Sequence, residues 1–127
     1  MASVVLDTSA LLAYVSGETG ADKVADVIGD AVISAVNFAE AVSVIVNRGG
    51  SIEMAESVLG LADIEVIDFD RDQATRAGGL ISQTRQYGLS LGDRSCLALA
   101  IQRACPVFTA DRAWSKLDLK ADIQLIR

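Results

Sequence analysis

The sequence predicts one α/β domain over residues 1–127, a mostly parallel sheet of about five strands flanked by helices. Three observations carry that expectation. Short runs with few or no polar residues (VVL, AVI, IEVI, PVFT) have the length and apolarity of buried strands. Each is followed by a stretch with helical spacing, so strands and helices alternate along the chain. Tight hairpin signals between the runs are few, which leaves crossover connections and parallel pairing.

The first strand, from Val4, gives way at Asp7-Thr8-Ser9 to an apolar helix through Val15. Gly17 to Gly20 break it, and Ala21 to Ile28 resumes helical spacing with Lys23 and Asp26 outward. Ala31 to Ile33 is a second strand. Ser34 caps the helix AVNFAEAVSVIVNR, which Gly49-Gly50 stop. Ser51 opens a further helix with Met54, Val58 and Leu59 on one face. Ile64 to Ile67 is the third strand. Asp70 and Gln73 form a capping box for a long helix through Gln86, whose packing face is Ala74, Ala77, Gly78 and Ile81. Ser90 opens the helix that carries LALAIQRA. The single proline, Pro106, begins the strand PVFT, a helical turn spans Arg112 to Leu117, and Ile123 to Ile126 is the last strand.

Composition narrows the chemistry. The chain has no histidine, which removes Ser-His-Asp and Cys-His catalysis, a histidine base and histidine-containing zinc sites. Its two cysteines, Cys96 and Cys105, lack CxxC spacing and read as reduced core residues of a cytoplasmic protein. No apolar run approaches the ~18 residues of a membrane helix, and MASVVLD lacks the basic head of a secretory signal. A net charge of -6 argues against a broad basic surface for nucleic acid, so a phosphate ligand would have to be recruited by bound cations and a few local basic residues.

Four acids stand where chemistry could sit. Asp7 lies between strand and helix, at the rim where open parallel sheets bind ligands. It could equally be an ordinary helix cap, as could Thr8 or Ser9. Asp93 completes a capping-box pattern with Ser90, yet shares a helical stripe with Leu97, Ala100 and Ala104. Asp111 follows PVFT and could be a first-turn acid favoured by the helix dipole. Glu40 sits on a helix expected to be apolar almost all round, on a narrow polar strip with Asn37, Ser43 and Asn47. A buried bridge to an arginine is the bland account of it; a metal site is the other. Gathered at one sheet edge, such carboxylates repel and require cations or shared protons. Oxygen-only ligands select hard ions, Mg²⁺ or Mn²⁺, and such ions are suited to phosphodiester hydrolysis.

The motifs VVLDTSALLAYV, SAVNFAEAV, LSLGDRSCLALA and VFTADRAW, in that order, resemble those of PIN-domain ribonucleases, and among them the VapC toxins of toxin–antitoxin pairs. The resemblance runs the length of the chain. It implies a parallel sheet of about five strands between helices and a metal-dependent endoribonuclease leaving 5′-phosphate and 3′-hydroxyl ends. Asp7, Glu40, Asp93 and Asp111 would be the metal-binding and catalytic acids, with Thr8, Ser9, Thr109 and Asn37 in support. It also implies an RNA substrate, a VapB-type antitoxin whose basic segment enters the acidic groove, and a homodimer. Arg112 is the candidate phosphate contact, with Arg94 and Lys116 behind it. A haloacid-dehalogenase-like phosphatase would need a second acid where Ser9 stands, and no GxGxxG or GxxxxGK[ST] supports a nucleotide-binding module. A PIN-like scaffold without activity stays open.

Overall fold

The computed structural model describes residues 3–127. Five strands, β1 (Val4–Leu6), β2 (Ala31–Ser34), β3 (Glu65–Ile67), β4 (Val107–Thr109) and β5 (Ile123–Leu125), form one sheet in the order β3-β2-β1-β4-β5. Every pairing is parallel. The chain therefore moves outward from β1 through β2 to β3, crosses back, and builds β4 and β5 on the other side. Strand order reverses between β1 and β4, and ligands of open α/β sheets bind beyond the carboxyl ends of strands at such a reversal.

The central strands β1, β2 and β4 are largely apolar because both faces are covered, whereas the edge strands carry exposed Glu65 on β3 and Gln124 on β5. On β1 and β2, Val4, Leu6, Ala31 and Ile33 join one core cluster, while Val5 and Val32 join the other, the alternation of a pleated strand. The helices are α1 (Thr8–Ser16), α2 (Ala21–Ala25), α3 (Ala35–Asn47), α4 (Ile52–Gly60), α5 (Arg71–Gly79), α6 (Ile81–Thr84) and α7 (Leu91–Arg103). Leu11 of α1, Ala41 of α3 and Leu59 of α4 fill the first cluster; Ala77 of α5 and Cys96 to Ala100 of α7 fill the second. Both cysteines are free and buried. Among the described residues, no helix is long and apolar enough to cross a membrane.

Several expected details differ. The long helix to Gln86 stops at Gly79, where two adjacent glycines weaken helix propensity, and continues as α6 and a 3₁₀ turn, Arg85–Tyr87. Its buried stripe is Gln73, Ala77, Leu80 and Thr84, not Ala74, Gly78 and Ile81; Ile81 is 46% exposed. Gln73 fails as a capping-box partner because it is buried and its amide donates to Gln102 of α7, although the Asp70 carboxylate does accept the Gln73 N–H. The segment Ala21 to Ile28 is helical only to Ala25, then tightens to a 3₁₀ turn at Ile28–Asp30. On α4 the buried residues are Ala55 and Leu59, with Met54 outside.

The largest correction concerns α3. It is not a core helix: only Asn37 and Ala41 are buried. Its outer face and Ile52 line an apolar groove of about 660 Å³ between Val42, Ser43, Val44, Val46 and Asn47. Ala104 likewise leaves the α7 stripe, because it ends the helix in the left-handed region at φ 51°. An L-residue there loses about 1–2 kcal/mol, against roughly 0.5–1 kcal/mol for the extra freedom of glycine in the unfolded chain. Ala104→Gly is therefore expected to raise unfolding stability in urea by about 0.5–1 kcal/mol.

Candidate metal centre at the strand-order reversal

Asp7 caps α1 directly beyond β1. Its Oδ1 accepts from the Ala10 N–H at 2.9 Å and the Ser9 hydroxyl at 2.7 Å, and its Oδ2 accepts from the Thr109 hydroxyl at 2.6 Å. Capping and site thus coincide in one residue. The Thr109 hydroxyl, fully buried, also accepts from the Asp111 N–H at 3.0 Å, and the Ser9 hydroxyl accepts from the Ala110 N–H at 2.9 Å. Two hydroxyls therefore stitch the end of β1 to the end of β4, across the strand-order reversal. Asp111 begins the 3₁₀ turn Arg112–Lys116, its Oδ1 accepting from the Ala113 N–H at 3.0 Å.

Glu40 reaches the same place from α3. Its Oε1 accepts from the Thr8 hydroxyl at 2.8 Å and the Asn37 side-chain amide at 3.2 Å. These partners are neutral, so the arginine bridge is not what holds this carboxylate. Asn37 is 1% exposed, and its Nδ2 also donates to the Gly92 carbonyl of α7 at 3.1 Å, tying α3 to the start of that helix. Asp93 completes a capping box there: its Oδ2 accepts from the Ser90 N–H at 3.0 Å and its own N–H donates to the Ser90 hydroxyl at 3.1 Å.

All four acids line one cavity of about 260 Å³, together with Thr8, Ser9, Asn37 and Leu12. Leu12 was missing from the sequence expectation. It is the apolar residue one helical turn after Thr8, and that spacing could have placed it on the same face. Among the described residues the ion pairs are Arg76–Asp72 and Arg127–Glu18, neither of which touches the cavity. The four carboxylates therefore line the cavity without an ion-paired cationic side chain.

Burial, the dominant cause, raises the Asp7 carboxyl above its ordinary 3.8; hydrogen bonds from Ser9, Thr109 and Ala10 oppose it, and the Asp93 charge adds to it. The Cys96 thiol, fully buried behind the site, is pushed well up by burial and then by the charges of Asp7, Asp93 and Glu40. It donates to the Asp93 carbonyl and stays a neutral, unreactive thiol.

The donor set fits a hard divalent cation. It is all oxygen, and Glu40, Asp93 and Asp111 each keep one carboxylate oxygen outside the hydrogen bonds above. Among the described residues no group of three metal-ligating side chains is gathered closely enough to clasp an ion alone. Mg²⁺ keeps several waters and takes one or two carboxylates plus substrate phosphate, so it does not require such a closed cage.

The basic residues divide. Arg94 was expected to face a phosphate but packs away from the cavity, its Nη1 donating to the Ala77 carbonyl of α5 at 2.9 Å with its Nε buried. One residue along a helix turns a side chain by about 100°, so the neighbour of Asp93 points elsewhere. Arg112 and Lys116 lie exposed on the turn that starts at Asp111, with the Arg112 Nε on the carbonyl of Arg127 at 3.3 Å.

The PIN domain family profile matches residues 4–120. The chain belongs to the PIN-domain family. Solved structures similar to this PIN domain include a chain of the DNA-bound VapBC from Salmonella typhimurium, at 20% identity, TM-score 0.76 and full coverage of both chains. VapBC-5 from Mycobacterium tuberculosis, a toxin–antitoxin system, aligns at 28% identity and TM-score 0.66 over 100% of this chain and 99% of that one. VapBC2 from Rickettsia felis, bound to a DNA fragment from its promoter, aligns at 18% identity and TM-score 0.72 over 96% and 97% of the two chains. No curated protein sequence matches the chain.

Proposed function

We propose that this PIN domain is a Mg²⁺- or Mn²⁺-dependent endoribonuclease and the toxin of a VapBC-type pair, working in the cytoplasm. The observation that carries the reading is the unpaired cluster of Asp7, Glu40, Asp93 and Asp111 around one cavity at the strand-order reversal. A divalent ion bound there would offset the scissile phosphate charge and acidify a water for in-line attack. The protein's part is positional. Ser9, Thr109 and the α1 N-terminus hold Asp7, Thr8 and Asn37 hold Glu40, and the α7 cap holds Asp93. Arg112, next to Asp111 in the chain, and Lys116, at the other end of the same exposed turn, are the basic residues proposed to meet flanking phosphates of an RNA strand.

The likeness to VapBC structures supports a VapB-type antitoxin as partner. A basic segment of such a partner suits a cavity walled by acids, since an arginine guanidinium can stand where a cation would. The homodimer implied by the sequence resemblance has the exposed apolar groove between α3 and α4 to cover.

Incubating the purified chain with RNA tests the proposal. Cleavage is expected with Mg²⁺ or Mn²⁺, none with a chelator, and none by a folded Asp111→Asn variant. Cleavage that persists under chelation would contradict the metal dependence. A folded, metal-binding wild type that leaves RNA intact would point to a scaffold.

A further inference from the structure

Gly92, the second residue of α7, is buried, and the Glu40 side chain from α3 lies directly over it. A Cβ at this position would stand 2.5 Å from the Glu40 Cδ and from Oε2, and nearer still to Oε1. Among the described glycines, Gly92 alone would bring a Cβ against a carboxylate. Its carbonyl meanwhile accepts the Asn37 Nδ2, the same amide that donates to Glu40 Oε1. The Glu40 carboxylate is thus located from three sides: the Thr8 hydroxyl of α1, the Asn37 amide of α3, and the bare backbone of α7.

We infer that Gly92 is a positioning residue for the metal centre: the missing side chain lets the Glu40 carboxylate lie against the start of α7, on the same cavity wall as Asp93. This rests on the reading of the four acids as a divalent-cation site. A glycine kept only for close helix packing would have backbone or hydrocarbon as its nearest neighbours. Here the three nearest atoms all belong to the far end of one flexible side chain. An added methyl group therefore swings the carboxylate away from Thr8 and Asn37 and leaves the helices in place, while alanine itself favours the helix over glycine.

The test is Mn²⁺ binding by titration calorimetry together with the metal-free melting temperature, on wild type, Gly92→Ala, Glu40→Ala and the double variant. Gly92→Ala is expected to melt no lower than wild type and to bind Mn²⁺ roughly 10–100-fold more weakly. With Glu40 already replaced, the same glycine substitution is expected to change nothing, because its effect passes through Glu40. Wild type that does not bind Mn²⁺ would remove the cation reading itself, and this role with it. Wild type that binds, with Gly92→Ala binding equally well, would overturn the role of Gly92 alone. So would a loss of the same size in the Glu40→Ala background, or a Gly92→Ala protein that melts lower or fails to fold.

Discussion

Asp7→Asn is expected to cut metal-dependent RNA cleavage on the order of 100-fold or more, and to raise the melting temperature of the metal-free protein. Two effects of opposite sign come from one buried carboxylate. Asparagine keeps the cap, since its carbonyl can accept from the Ala10 N–H and the Ser9 hydroxyl as Asp7 does, while its Nδ2 can donate to the Thr109 oxygen in place of the bond that Asp7 Oδ2 accepts. It drops a charge that burial disfavours. Because the folded-state pKa of Asp7 is raised, the ionised group costs stability at neutral pH. That cost is relieved as the pH falls through the folded pKa toward 3.8, since the folded state then binds the proton first. The gap in melting temperature between Asp7→Asn and wild type, without metal, should therefore be widest near neutral pH and close as the solution is acidified. A gap of constant size would mean that burial of this charge is not what separates the two proteins.

Trp114→Ala should produce the largest loss of stability. The indole is 1% exposed and packs into the core cluster of Val107, Leu97 and Leu99. Its N–H is buried without a partner, so the substitution costs packing and no hydrogen bond. Truncating a buried tryptophan costs about 3–5 kcal/mol, which in a domain of this size lowers the melting temperature by roughly 10–20 °C. The position gives the loss a functional edge. Trp114 anchors the 3₁₀ turn that begins at Asp111, so the variant should also bind Mn²⁺ more weakly at temperatures where it remains folded. A drop below about 1 kcal/mol in urea unfolding would show that the turn is held by something other than this side chain.

The sheet was legible because a strand covered on both faces must be largely apolar, as VVL, AVI and, up to its terminal Thr109, PVFT are. The edge strands are the exceptions: Glu65 and Val66 of β3 and Gln124 of β5 are exposed, and the reading of β3 leaned on the single segment IEVI. Asp7 and Asp111 could be placed because each follows a central strand, where an acid has few other reasons to sit. Glu40 does line the cavity, but the reason given for singling it out was partly mistaken. Its helix is not core, and what makes the residue informative is the Thr8–Asn37–Gly92 tie. That tie joins residues 55 positions apart, which no local spacing can reveal. Arg94 failed for the converse reason: adjacency in sequence to Asp93 is not adjacency around a helix. The break in the helix after Gly79 was hidden because glycine lowers helix propensity without forbidding a helix, and no local spacing pointed to the part-buried Gln73–Gln102 contact that ties α5 to α7.

A cavity lined by four carboxylates and no cationic side chain should take up a divalent ion, bound directly by one or two of them and through its waters by the others. Titrating the metal-free wild-type protein with Mn²⁺, while following heat of binding and melting temperature, tests that most directly. Saturable binding is predicted, with stabilisation that grows with free Mn²⁺ and reaches about 2.7 kcal/mol at a hundred times the dissociation constant. No heat of binding, and a melting temperature that does not move with Mn²⁺, would contradict it.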